Sequence, residues 1–181
     1  MHARTSGGVG GRRRKRPFLF RLCIGLDRVS ALELKVPPVA VVLVFGVAMW
    51  LVSVNVPSLA IGSPWRIVVA AALAGAGLVI SVIAVVAFRK ARTTVNPTRP
   101  GTTSALVTSG VYGLSRNPMY VGILLALTGW AVFLSHTLAF AFLPAYVAYM
   151  NRFQISPEER ALSVNFGSEF VAYKQSVRRW L

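Results

Sequence analysis

The sequence predicts an all-α, polytopic integral membrane protein with four to five membrane helices. Three observations carry that expectation. Hydrophobic residues make up 55% of the chain and charged residues only 14%, a balance foreign to a soluble globule. The apolar residues fall in four long runs, and no carboxylate occurs between Leu34 and Pro157. The formal net charge is +15, and nine of the 20 Lys and Arg lie in the first 35 residues, ahead of the first run. That asymmetry puts the N-terminus on the cytoplasmic side of an inner or plasma membrane.

Residues 1–35 read as a basic disordered tail followed by an interfacial helix. The run Arg12-Arg13-Arg14-Lys15-Arg16 has no apolar face to bury. Beside a membrane span it attracts anionic lipid, and nucleic acid is not expected as a partner. Leu19, Leu22, Leu26 and Val29 repeat at three- and four-residue spacing, which predicts a helix in the interface over 18–34. Arg21, Asp27 and Arg28 interrupt the apolar run, so it does not read as a secretory signal. Cys23 is alone, which excludes an intrachain disulfide and argues against a Cys-based metal site.

Two transmembrane helices are expected within 36–88. Val36 to Val56 is uncharged and long enough for about 30 Å of hydrocarbon. A Pro-, Gly- and Ser-rich turn follows, and Trp65 to Phe88 is the second span. Gly77 and Ser81 form a small-xxx-small pair that permits close helix packing. A long polar connection over 89–117 carries Arg89, Lys90, Arg92, Arg99 and Arg116, and the positive-inside rule makes it cytoplasmic.

The segment 118–153 predicts a membrane hairpin of two short helices, Pro118–Leu134 and Thr137–Phe153, joined at Ser135-His136. At about 1.5 Å per residue each reaches only about 25 Å. His136, at the hairpin tip, reads as a turn residue rather than a base. Ser156-Pro157-Glu158-Glu159 has the form of a capped helix start. An apolar face of Leu162, Phe166, Phe170, Tyr173 and Val177 then predicts a cytoplasmic helix over 156–177.

The stretch Thr108–Gly122 is where the polar connection becomes the hairpin. Asn117 suits an N-cap and Pro118 the first helical position. On spacing alone, a capped helix and nothing more accounts for it equally well. Glu158 and Glu159 likewise fit a capping box and a helix dipole.

The pattern Gly110-x-Tyr112-x-x-x-Arg116-Asn117-Pro118-x-Tyr120-x-Gly122 also resembles the signature of the isoprenylcysteine carboxyl methyltransferase and phospholipid methyltransferase group. Glu158-Glu159-Arg160-Ala161-Leu162, then Phe166-Gly167 and Tyr173, resembles the same group's C-terminal motif. The likeness spans roughly residues 97–181. It implies an integral membrane enzyme using S-adenosylmethionine, with 89–181 as the cofactor-binding core. It implies that Leu106, Val107, Tyr112, Asn117, Pro118, Met119, Tyr120 and Glu158 line the cofactor pocket. Arg116 and Glu159 are then the candidate catalytic residues, Arg116 or an Arg near the chain end meeting the acceptor's anionic group and Glu159 supporting the site. Asn117 stands where His is commonest, Phe170 where Tyr is usual and Arg178 where Pro is usual. Asn117 can hydrogen-bond but cannot titrate near neutrality.

The resemblance favours a lipid-tailed or prenylated acceptor, first the carboxylate of an isoprenylcysteine-like molecule. A carboxylate is already nucleophilic at neutral pH, which suits a site without a His base. A phospholipid amine or a small thiol on the same fold is the alternative, and a non-enzymatic small membrane protein is the alternative of another class. The absence of charges within the runs speaks against a transporter, and no Gly-rich dinucleotide motif supports a nicotinamide-dependent reductase. The acceptor's tail is expected to arrive from the bilayer between the hairpin and the second span.

Overall fold

The structure, a computed structural model, describes residues 33, 36–57, 64–91 and 105–181. The basic tail and the interfacial helix expected over 18–34 lie outside the described residues, Glu33 aside, as does most of the connection before residue 105. Among the described residues every regular element is helical. Five α-helices follow in order: α1 Pro38–Asn55, α2 Arg66–Lys90, α3 Pro118–Leu134, α4 Thr137–Met150 and α5 Ser156–Ser176. A short 3-10 turn, Gly110–Gly113, precedes α3, and a π-helical turn, Asn151–Ile155, joins α4 to α5.

α1 and α2 are long and apolar enough to cross a membrane. Both are hydrophobic all round, yet Leu43, Val44, Val47 and Val54 of α1 and Ile67, Val68, Leu78 and Val79 of α2 are exposed. An apolar helix left uncovered on most of its surface is built for lipid rather than for a protein core. α3 is apolar but has 17 residues, shorter than an upright span.

α2 and α3 pack along a seam of small residues. The backbones approach so closely that a Cβ on Gly77 would lie 2.9 Å from the Ala126 nitrogen, and one on Gly129 would lie 2.7 Å from the Ala70 carbonyl oxygen. Gly122 faces Gly77 and Ser81 in the same way. The Ser81 hydroxyl bonds its own helix at the Gly77 carbonyl, 2.9 Å, and so fits into the seam without an unpaired polar group. Close backbone approach through small residues is the usual source of helix association in lipid. From Ala70–Gly129 to Ser81–Gly122 the seam leaves no gap between the two backbones.

α1 is fastened to the hairpin by polar and aromatic contacts. The Trp130 indole donates to the Gly46 carbonyl, 3.0 Å, and the Phe45 ring meets Tyr146 edge-on at 5.6 Å. At the hairpin tip Ser135 takes a left-handed conformation, with φ 52°, and ends α3. His136 is buried beside it with Nε2 2.9 Å from the Val56 carbonyl oxygen. It acts there as a turn residue pinning the end of α1.

The helix start expected at Ser156 takes another form. Ser156 has helical φ/ψ, and its hydroxyl donates back to the Asn151 carbonyl at 2.6 Å. Pro157 has no N–H to return to the preceding turn, and the π-helical turn absorbs the mismatch. No capping box forms, and the Glu159 carboxylate is released for other partners. α5 later breaks direction at Gly167, whose φ of 50° and ψ of −121° suit glycine alone.

Candidate functional site

The end of α2, the 3-10 turn, the first turn of α3 and both ends of α5 meet at one end of the bundle. The 3-10 turn brings Tyr112 edge-on to Phe88 of α2, with ring centroids 5.0 Å apart. The Tyr173 hydroxyl, from the far end of α5, donates to the Tyr112 carbonyl at 2.6 Å. Both tyrosines are buried. Burial first, then the neighbouring Tyr173 and Glu158, pushes the Tyr112 phenol far up. Burial pushes Tyr173 up to about 12 against the pull of Arg116. Each remains a neutral hydrogen-bonding group at working pH.

Asn117 precedes α3 as expected, but its side chain does not cap the helix. Its Nδ2 donates instead to the Arg179 carbonyl, 3.0 Å. The Ser115 hydroxyl donates to the same carbonyl at 3.3 Å and accepts the Asn117 N–H at 3.1 Å. The chain end has drawn the capping residue away from the helix. Pro118 is buried as the first helical residue, and the half-buried Met119 offers its carbonyl to Ser81 at 3.4 Å.

Glu159 is buried and surrounded by cations. Arg179 grips it with both Nε and Nη2, at 3.1 and 2.6 Å. Arg116 reaches it at 3.1 Å and Lys174 at 3.9 Å. Arg116 also donates to the Lys174 carbonyl at 3.3 Å. A carboxylate buried this deeply is tolerable only when its lone pairs are met in this way. Arg116 therefore has Glu159 and Lys174 as its partners, and its guanidinium turns inward.

Glu158 differs from its neighbour. It accepts a 2.6 Å hydrogen bond from the Tyr120 hydroxyl of α3. Burial lifts its pKa to about 7; the Tyr120 bond pulls it down and the nearby Glu159 pushes it up. Two adjacent carboxylates thus have different surroundings. Glu159 is held in an ion cluster, and Glu158 has the Tyr120 hydroxyl as its hydrogen-bond partner. Groups poised this way concentrate at functional sites.

Tyr112, Arg116, Asn117, Tyr120, Glu158 and Glu159 are joined by these contacts into one cluster. Leu106 and Val107 are half-buried in the segment leading to the 3-10 turn. Three residues gain parts that their types did not announce. Ser115 and Arg179 act through one backbone carbonyl, and Tyr146 is fully buried with a hydroxyl that has no partner. Of these, the sequence pointed only to an Arg near the chain end, and there as a contact for the acceptor.

The cluster fits S-adenosylmethionine by its donor set. A carboxylate able to ionise near pH 7 suits an ammonium or ribose hydroxyls, and the edge of an aromatic pair suits an adenine. The buried Arg116 Nε and Tyr146 hydroxyl are polar atoms still without partners beside it.

The chain is similar to known proteins over part of its length. A 63-residue segment, 35% of this chain, is 43% identical to an uncharacterized protein of Haemophilus influenzae and covers all of that protein. No solved structure matches the chain. The family model for phospholipid methyltransferases matches residues 65–169, from the start of α2 to beyond the Gly167 bend. The matched span holds every site residue named from the sequence, and the chain belongs to the phospholipid methyltransferase family.

Proposed function

We propose that the protein transfers a methyl group from S-adenosylmethionine to a lipid-tailed acceptor, first the carboxylate of an isoprenylcysteine-like molecule. The observation that carries this reading is the Tyr120–Glu158 hydrogen bond at the polar end of an otherwise apolar bundle. The cofactor supplies a methyl group activated on a sulfonium. The chain's own residues bind and orient. Glu158, held by Tyr120, would accept from the cofactor's ammonium or ribose hydroxyls. Tyr112, Leu106 and Val107 offer apolar surface to the base. Asn117, Pro118 and Met119 shape the floor at the start of α3. Arg116 and Glu159 hold this frame. A carboxylate acceptor gives up no proton, so the absence of a His base is no obstacle.

The same reading gives four membrane helices, α1 to α4, with the site and both termini on the cytoplasmic side. Cytoplasmic placement follows from Arg89, Lys90, Arg152, Arg160, Lys174 and Arg178 at that end of the bundle, with the basic tail on anionic lipid.

One observation favours a second acceptor. A carboxyl with a pKa near 7 is matched to accepting a proton from an amine. That suits a phospholipid amine, the substrate class in the family's name. Transfer of labelled methyl groups from S-adenosylmethionine to a prenylcysteine, to phosphatidylethanolamine and to their tail-less analogues tests both. A base-labile methyl on the prenylcysteine supports the first reading, and stable N-methyl label on the phospholipid supports the second. Equal transfer to tail-less analogues overturns the lipid-tailed acceptor, and no transfer to any overturns both.

A further inference from the structure

Five residues at the chain end form a strap across the site's frame. The Arg116 N–H donates to the Arg178 carbonyl at 3.0 Å. The Arg179 carbonyl receives Asn117 Nδ2 and the Ser115 hydroxyl, as above. The Trp180 indole donates to Asn151 of the π-helical turn at 3.0 Å, and its ring packs on the core. The turn before α3 thus donates its hydrogen bonds to the carbonyls of the chain end instead of closing a helix cap.

What holds the strap is Arg179. Its guanidinium closes a two-point fork on Glu159 of α5, a geometry that Lys cannot reproduce. Arg116 and Arg179 both converge on that one carboxylate, and Glu159 offsets their mutual repulsion. The backbone carbonyl of this same Arg179 meets Asn117. With one Nδ2 hydrogen committed there, Oδ1 and the second Nδ2 hydrogen are the side-chain groups of Asn117 left to meet a ligand.

We propose that Arg179 is a positioning residue: anchored on Glu159, it uses its main-chain carbonyl to orient the Asn117 amide, and with it the start of α3, toward the cofactor. This rests on the reading of the site given above. It assigns Arg179 to the frame and takes it away from contact with the acceptor. It also gives Glu159 its part, since the carboxylate anchors the residue whose carbonyl holds the Asn117 amide.

Full-length protein in detergent tests it, with S-adenosylhomocysteine as the calorimetric probe. Arg179→Ala is expected to weaken binding by about tenfold, the size of one or two lost hydrogen bonds, with Arg179→Lys between it and the native protein. In an Asn117→Ala background the same substitution is expected to cost less than about threefold, because coupled residues do not add. Without ligand, hydrogen exchange over 113–119 is expected to rise in Arg179→Ala while 123–131 stays protected. Equal losses in the two backgrounds would mean that Arg179 acts on the ligand directly and would overturn the proposal. So would faster exchange with unchanged affinity, which marks the strap as structural alone, or exchange that does not change at all. Native protein that binds no probe overturns the functional reading and the positioning role with it. The exchange measured without ligand then shows whether the strap itself was read correctly.

Discussion

The Tyr120 hydroxyl donates a 2.6 Å hydrogen bond to Glu158 Oε1, joining the first turn of α3 to the first turn of α5. The two residues are 38 positions apart, and the whole hairpin separates them. Folding of the hairpin is therefore what builds the site, because neither helix start holds a carboxyl and its partner alone. The same bond is the one contact pulling the Glu158 pKa down against burial and the nearby Glu159.

Removing the phenol should weaken the site without unfolding it. Tyr120→Phe keeps the buried ring and deletes only the donor. A hydrogen bond to an ionised carboxyl contributes about 1.5–3 kcal/mol, so cofactor affinity should fall by roughly ten- to a hundredfold. Calorimetry on the purified variant, beside its thermal midpoint, checks this. Unchanged affinity would remove Tyr120 from the site.

Cofactor binding should depend on pH with a midpoint set by Glu158. Its folded pKa, about 7, lies above the usual carboxylate range. The proton is therefore held more tightly in the folded state. The resulting stability is complete below the unfolded pKa and is lost as pH rises through about 7. A cationic ligand has the opposite preference and binds the ionised form. Affinity for S-adenosylmethionine should rise across that window, and Glu158→Gln should flatten the profile. A native profile flat from pH 6 to 8 would contradict the assignment.

The helix seam should be intolerant of a single methyl group. Gly122→Ala drives a Cβ into Ser81 and the Gly77 backbone. Overpacking of this kind costs about 1–3 kcal/mol. Gly46→Ala, with nothing within 4 Å of the new atom, is the control, and it should stabilise α1 by roughly 0.5–1 kcal/mol through helix propensity. Thermal midpoints in one detergent separate them. Equal midpoints would mean that α2 and α3 do not pack as described.

His136 should be dispensable for methyl transfer. It lies at the hairpin tip against Val56, by Ser135, to which Arg66 donates at 3.2 Å. His136→Gln should leave kcat within about twofold and lower the thermal midpoint slightly, by the loss or weakening of one hydrogen bond. A large fall in kcat would reopen its role as a base.

Helix existence was legible because apolar runs and proline positions are local signals. α3 begins and ends where Pro118 and the Ser135-His136 turn predicted, and Gly77 and Ser81 pack as their spacing implied. Cap chemistry was not legible. Asn117 and Ser156 have the right identity for N-caps, but Arg179 recruits one and the π-helical turn absorbs the other. Both outcomes depend on partners distant in sequence, which local pattern cannot weigh. The different fates of Glu158 and Glu159 were hidden for the same reason. Adjacent helix positions point about 100° apart, and only the fold places Tyr120 before one and two arginines before the other.

Binding of S-adenosylhomocysteine to the detergent-purified protein tests the central claim most directly, measured by calorimetry with Tyr120→Phe and Glu158→Ala alongside. One-site, saturable binding to the native protein, weakened in both variants while their thermal midpoints hold, is the expected result. Absence of binding in folded native protein, or binding that neither substitution disturbs, would contradict a cofactor site built on the Tyr120–Glu158 pair.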